Sequence, residues 1–143
     1  MARSAGANLA MLLLGGFEAM VDEVRAGLAQ QGHPGVRAGH EFAMTAIEAG
    51  ASTTSELGRQ LGVSKQAAAK TVAALQHLGY VAAEPDPSDA RRQLLHVTPR
   101  GHEMTTLGAA LFDKIRTRWS NQLGPHALTT LEANLTQLIR PES

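Results

Sequence analysis

The chain has 143 residues, 43% of them hydrophobic and only 3% aromatic, which suits one domain with a core of Leu, Ala, Val and Met. It has no cysteine, which excludes disulfides, thiolate metal sites and cysteine-based redox switching. The formal net charge is zero but unevenly spread. Residues 1–51 carry three Arg against five acids, residues 52–101 six Lys or Arg against four acids, and residues 102–143 four of each. A face for a polyanion would therefore lie in the middle third. The apolar run Leu9 to Leu14 is too short to span a bilayer, and the start lacks a signal-peptide pattern, so a cytoplasmic location is expected.

Leu13, Phe17, Met20, Val24 and Leu28 step by four, three, four and four, which predicts a helix from about residue 5 to 30. Gln31-Gly32-His33-Pro34-Gly35 breaks it. A second helix is expected from about Val36 to Ala49, with Phe42, Ala43, Ala46 and Ile47 inward and Gly50 as its terminator. Thr53 and Glu56 have capping-box spacing and open a short helix with Leu57 and Leu61 inward. Gly62-Val63-Ser64 is a tight turn into a longer helix, Ser64 to Tyr80, and Val63 with Leu57 is expected to lock the two helices. Ala68, Val72, Leu75 and Leu78 form the buried stripe of that helix.

Its other side carries Lys65, Gln66 and Lys70 among small Ala67, Ala69 and Ala73. A helix that enters a DNA groove needs such flatness and such donors near its N-terminus. Tyr80 to Ala83 and Gln93 to Thr98 are strand candidates separated by a charged loop with two prolines, 84–92; together they make a wing. Thr98-Pro99 restarts the chain as a helix with Met104, Leu107, Leu111, Ile115 and Trp119, ending near Gly124. Pro125 opens a last helix with Leu128, Leu131, Leu135 and Leu138 inward, ended by Pro141.

Three stretches resemble the MarR family of bacterial transcriptional regulators. TTSELGRQLGVSKQAAAKTVAALQHLGYV resembles the family's helix-turn-helix, and DPSDARRQLLHVTPRG its wing, through Asp89, Arg91, Thr98 and Gly101. Ala90 stands where many members have Arg, Lys or Gly, which removes one phosphate contact and leaves the Asp89/Arg91 pair intact. The flanking helices match in number and order. The resemblance implies a mainly α fold with a small β-hairpin wing and about six helices: a winged helix-turn-helix that dimerises through its N- and C-terminal helices. Residues 1–143 form a single domain on this reading, with 36–101 the DNA-binding lobe and 1–35 and 102–143 the dimerisation helices. It further implies a homodimer on a pseudo-palindromic double-stranded DNA operator, most simply a repressor relieved by a small-molecule effector. No cofactor is expected.

The residues expected at DNA are Thr54, Ser55, Ser64, Lys65, Gln66, Lys70, Arg91 and Arg92. Arg91 suits a narrow minor groove, with Asp89 orienting its guanidinium. Gln66 suits an adenine edge, the lysines guanine or phosphate, and Thr54, Ser55 and Arg92 phosphate. Arg59 is expected at the surface. Phe17, Met20, Met44, Met104 and Trp119 are candidates for an effector cleft or for plain core. Some members of the family bind zinc through His and Glu from the regions of His33, His40, Glu41, His102 and Glu103, but no His-x-x-x-His spacing occurs here and no metal site is expected. There is no His-Glu-x-x-His, phosphate loop, Gly-x-Ser-x-Gly or Cys nucleophile, so an enzyme is not expected. The alternatives are a winged-helix protein-interaction module without DNA binding, or a zinc-responsive variant.

Overall fold

The Ser4 hydroxyl accepts the amide of Ala7 and starts α1, which runs unbroken over Ala5–Gln30 in the computed structural model; the residues it describes are 4–140. The apolar period of α1 is continuous, yet only its second half is covered. Val24 and Leu28 are buried, Met20 is half-buried, and Leu13 and Phe17 are exposed. Close packing against a later helix is possible at Gly27, where a Cβ would come within 2.9 Å of the Leu111 side chain.

Helix α2 spans Ala38–Glu48, leaving Val36 buried but outside the helix. Ala43, Met44, Ala46 and Ile47 face the core. Phe42, expected inward, is instead 52% exposed. It flanks the stripe centred on Ala43 and Ile47, and its ring stacks on Phe17 with centroids 5.9 Å apart.

Helix α3 (Thr54–Leu61) is capped by the Thr53 hydroxyl, which accepts the Glu56 amide at 3.2 Å. The expected reciprocal half of the capping box is displaced by one residue. The Glu56 carboxylate takes the amide and hydroxyl of Ser52, at 2.9 and 3.2 Å. Gly62 ends the helix at φ 69°, a left-handed conformation that glycine adopts without strain.

Val63 does not lock α3 to the next helix, because it is 44% exposed. The lock is Gly58, whose missing side chain lets the Val63 carbonyl and the Ala68 methyl approach to 3.2 and 3.5 Å of a Cβ position. Helix α4 covers Lys65–His77, with Ser64 accepting the Ala67 amide as N-cap and Ala68, Val72 and Leu75 buried. It ends three residues before the expected Tyr80. Gly79 turns the chain at φ 85°, and Tyr80 drops fully buried into the core.

Strands β1 (Val81–Asp86) and β2 (Asp89–Val97) pair antiparallel from Val81↔Val97 to Asp86↔Asp89. The stretch 84–92, expected as a loop, is therefore mostly paired strand. Asp86 tightens the tip to Pro87-Ser88 by accepting the Ser88 amide and hydroxyl at 2.8 and 2.7 Å. Pro85, which has no N–H to donate, sits at the bulge between Pro85 and Asp86. The hairpin is stitched to the body by the Leu95 amide, which donates to the Ser52 carbonyl at 2.8 Å.

Helix α5 spans Pro99–Leu123, with Thr98 as N-cap and Met104 and Ile115 buried. The Thr98 hydroxyl both accepts the Gly101 amide and donates to the Gly79 carbonyl at 2.6 Å. Helix α6 (Pro125–Ile139) packs on α5. Of its four leucines expected inward, Leu128 is buried and Leu135 half-buried, while Leu131 and Leu138 are exposed, because the packing of α6 on α5 covers only part of the stripe. Pro141, expected to end this helix, lies outside the described residues. The Arg118 guanidinium pairs with Glu23 across α1 and α5, and that of Arg116 with Glu132 across α5 and α6. The fold is mainly α, with six helices and one hairpin among the described residues. None of these helices is long and apolar enough to cross a membrane.

Candidate nucleic-acid interface

Helix α3, the start of α4 and β2 converge on one open groove of about 480 Å³. Its walls include Thr54, Ser55, Lys65, Arg91 and Arg92 of the residues singled out from sequence. Thr53, Glu56, Arg59 and Gln93 complete it. Thr53 and Glu56 belong to the cap of α3, while Arg59 and Gln93 carry no motif of their own; only the register of the hairpin against α3 brings Gln93 to Arg59. Ser64, Gln66 and Lys70 lie outside the groove on the exposed side of α4. The Ser64 hydroxyl is committed to the Ala67 amide, while the side chains of Gln66 and Lys70 make no hydrogen bond or ion pair among the described residues.

The two wing arginines differ. Arg91 is 93% exposed, and its Nε donates to Asp89 Oδ1 at 3.3 Å. The same oxygen accepts the Arg91 amide at 3.0 Å, so one carboxylate fixes both the backbone and the direction of the guanidinium. Arg92 is held between Glu56 and Asp86, at 4.0 Å from each. Both of those carboxyls are held below the ordinary carboxylate range. For Glu56 the chief cause is the Ser52 amide and then its hydroxyl; for Asp86 it is the Ser88 amide and then its hydroxyl. Arg92 thereby lies within ion-pair reach of α3, and Arg91 projects into solvent on its Asp89 support.

The histidines do not assemble a metal centre. His33 is fully buried between the Tyr80 hydroxyl, 2.9 Å from Nδ1, and Glu103, 3.2 Å from Nε2. His40 Nδ1 accepts the Arg37 amide, and His102 lies 3.9 Å from Glu48. Among the described residues no three His, Cys, Asp or Glu side chains are placed to hold a metal ion. The candidate effector residues do not form one cleft either. Met44 and Met104 are core, Phe17 is exposed, and Met20 and Trp119 line an apolar groove of about 270 Å³ with α6.

A sequence profile of the MarR family matches residues 43–92, the span from α2 through the helix-turn-helix to Arg92. The matched segment, about a third of the chain, is similar to the MarR-family winged helix. The whole chain carries the MarR fold. It superposes on apo MarR from E. coli with a TM-score of 0.71 at 20% identity, covering 98% of this chain and 100% of that one. The transcriptional repressor CouR, bound to a 23-mer DNA duplex, gives a TM-score of 0.77 at 17% identity, with 98% and 99% covered. A cysteine-to-serine mutant of E. coli MarR complexed with operator DNA gives 0.74 at 21% identity, with 93% and 94% covered. No curated protein sequence matches the chain. At these identities the likeness establishes the fold alone, and the role of each residue rests on its own geometry.

Proposed function

We propose that this protein is a sequence-specific transcriptional regulator that binds a pseudo-palindromic operator as a homodimer, most simply as a ligand-relieved repressor. It acts by binding and not by catalysis. The observation that carries the reading is the exposed guanidinium of Arg91, aimed by Asp89 from the wing beside the basic start of α4. On this reading α4 enters the major groove with Lys65, Gln66 and Lys70 toward base edges and phosphates, and Arg91 enters the adjacent minor groove. Thr54, Ser55 and Ser64 sit where a helix N-terminus meets phosphate, and Arg92 stiffens the wing. Residues 36–101 then form the DNA-binding lobe, and 1–35 with 102–143 the dimerisation helices. DNA-bound MarR and CouR structures with the same fold support a DNA partner.

Selection from random duplexes is expected to enrich an inverted repeat. Arg91→Ala and Lys65→Ala should each weaken binding to it, and the lysine variant should flatten the salt dependence by about one ion. If both variants bind like the parent, this face is not the DNA face. If no inverted repeat is enriched, a protein-interaction module is the better reading.

A further inference from the structure

A cavity of about 180 Å³ lies between α2 and α5, lined by Glu41, Phe42, Thr45, Thr105, Ala109 and Phe112. We propose that it binds a small organic cation with an aromatic or apolar body, its charge on the Glu41 carboxylate and its body against Phe42 and Phe112. Glu41 Oε1 is buried and has no hydrogen-bond partner. Buried carboxylate oxygens are seldom left so, because the lost hydrogen bonds to water are not replaced. The position is made by Gly108: a Cβ there would lie 2.5 Å from Oε1. Burial alone pushes the Glu41 carboxyl above its usual range, with no neighbouring cation pulling it back.

The rest of the lining fixes the sign of the ligand. Thr45 spends its hydroxyl proton on the Glu41 carbonyl, and Thr105 spends its own on Glu48. Ala109 and the two phenylalanines have no polar side-chain atom. The cavity therefore offers acceptors and aromatic faces, and no side-chain donor for an anion. Carboxylate plus aromatic faces is the environment that stabilises an ammonium group. Binding itself is independent of DNA. Its regulatory consequence rests on the ligand-responsive part of the proposed function, since α2 packs on both α3 and α4.

The test titrates the full chain by calorimetry with benzylammonium, benzoate and benzyl alcohol near about pH 8, where the amine is still charged. Benzylammonium is expected to bind about tenfold more tightly than the other two. Glu41→Gln should bring it level with benzyl alcohol. Phe42→Leu, at an exposed side chain, should weaken benzylammonium by about threefold and provides a second variant if the first fails to fold. Equal binding of all three probes, tighter benzoate, or unchanged preference in the folded variants overturns the proposal. Release of the selected operator is measured separately. Binding without release leaves the site standing and removes the ligand-response reading. Operator recognition without any cation binding does the reverse.

Discussion

The hydroxyl of Tyr80 lies 2.9 Å from Nδ1 of His33, and both side chains are fully buried. Glu103 lies 3.2 Å from Nε2, and as a carboxylate it can only accept, so the neutral ring carries its proton on Nε2 and Tyr80 donates to Nδ1. This contact joins the α1–α2 turn to the residue that links α4 with the wing. Arg100 covers the outside, its Cζ 5.2 Å from the Tyr80 ring centre and its Nε donating to the Leu78 carbonyl.

Tyr80→Phe keeps the ring, its burial and the arginine stacking, and removes only the hydroxyl. His33 Nδ1 is then a buried acceptor without a donor, a loss of about 1–2 kcal/mol. Urea unfolding should show a lower midpoint at unchanged slope. A midpoint within error of the parent would mean that water replaces the hydroxyl.

Gly101→Ala should be far more damaging, although it adds a single methyl group near a helix start. The new Cβ would fall 2.2 Å from the Tyr80 carbonyl, 2.8 Å from Val97 Cγ1 and 2.9 Å from Met44 Cε. The first of these is backbone held in place by the Thr98 amide, which donates to it at 3.0 Å, so it has nowhere to move. A loss of about 3 kcal/mol or more is expected. Gly39→Ala, at an exposed position with nothing within 4 Å of its Cβ, serves as the control and should leave thermal stability unchanged or slightly raised.

These two residues show where sequence patterning reaches and where it stops. The caps at Thr53, Ser64 and Thr98 and the breaks at Gly62, Gly79 and Gly124 are local chemistry, and they are legible from residue type and spacing. The strands were harder to bound, because Pro85 and the charges from Glu84 to Arg92 look like a loop, and only the Asp86–Ser88 turn reveals that they pair. The apolar stripes of α1 and α6 extend beyond the faces that the single chain covers. An apolar stripe reports that a face is to be covered, not that its own chain covers it. At the candidate interface, Asp89/Arg91 is a two-residue relationship and was visible. Arg92 held by Glu56 depends on how the hairpin lands on α3, and no local pattern carries it.

Glu41 gives a pH dependence of its own sign. Its folded-state carboxyl titrates above the unfolded value, so the folded chain holds the proton more tightly. Its contribution is neutral below the unfolded value, near about pH 4.5, and becomes unfavourable as pH rises from there toward the folded value. Glu41→Gln removes that penalty. The variant should exceed the parent in stability at neutral pH, and the gap should close on acidification to about pH 4. Because Glu41 is only partly buried, the gap is reduced by solvent screening. Chemical denaturation at the two pH values checks it, and a gap that stays constant with pH would show that ionisation is not its cause.

The first half of α1 and the outer stripe of α6 present Leu9, Leu12, Leu13, Leu131 and Leu138 to solvent in the single chain. At 1.5 Å per residue α1 extends about 39 Å, and its buried residues begin only at Val21. Two such unpartnered faces on one molecule are what a two-fold symmetric pair covers reciprocally. Leu12, 64% exposed, makes little contribution to the folded chain on its own. Leu12→Glu should therefore leave helix content unchanged while dissociating the proposed dimer, because it would place a charge in the apolar contact proposed there. Sedimentation equilibrium is expected to give twice the 15.1 kDa chain mass for the parent and the single mass for the variant. Operator binding should fall with it, since each subunit then holds only one half-site. A variant that remains dimeric would move the interface away from α1, and a parent that sediments as a monomer would remove the two-fold operator from the proposed function.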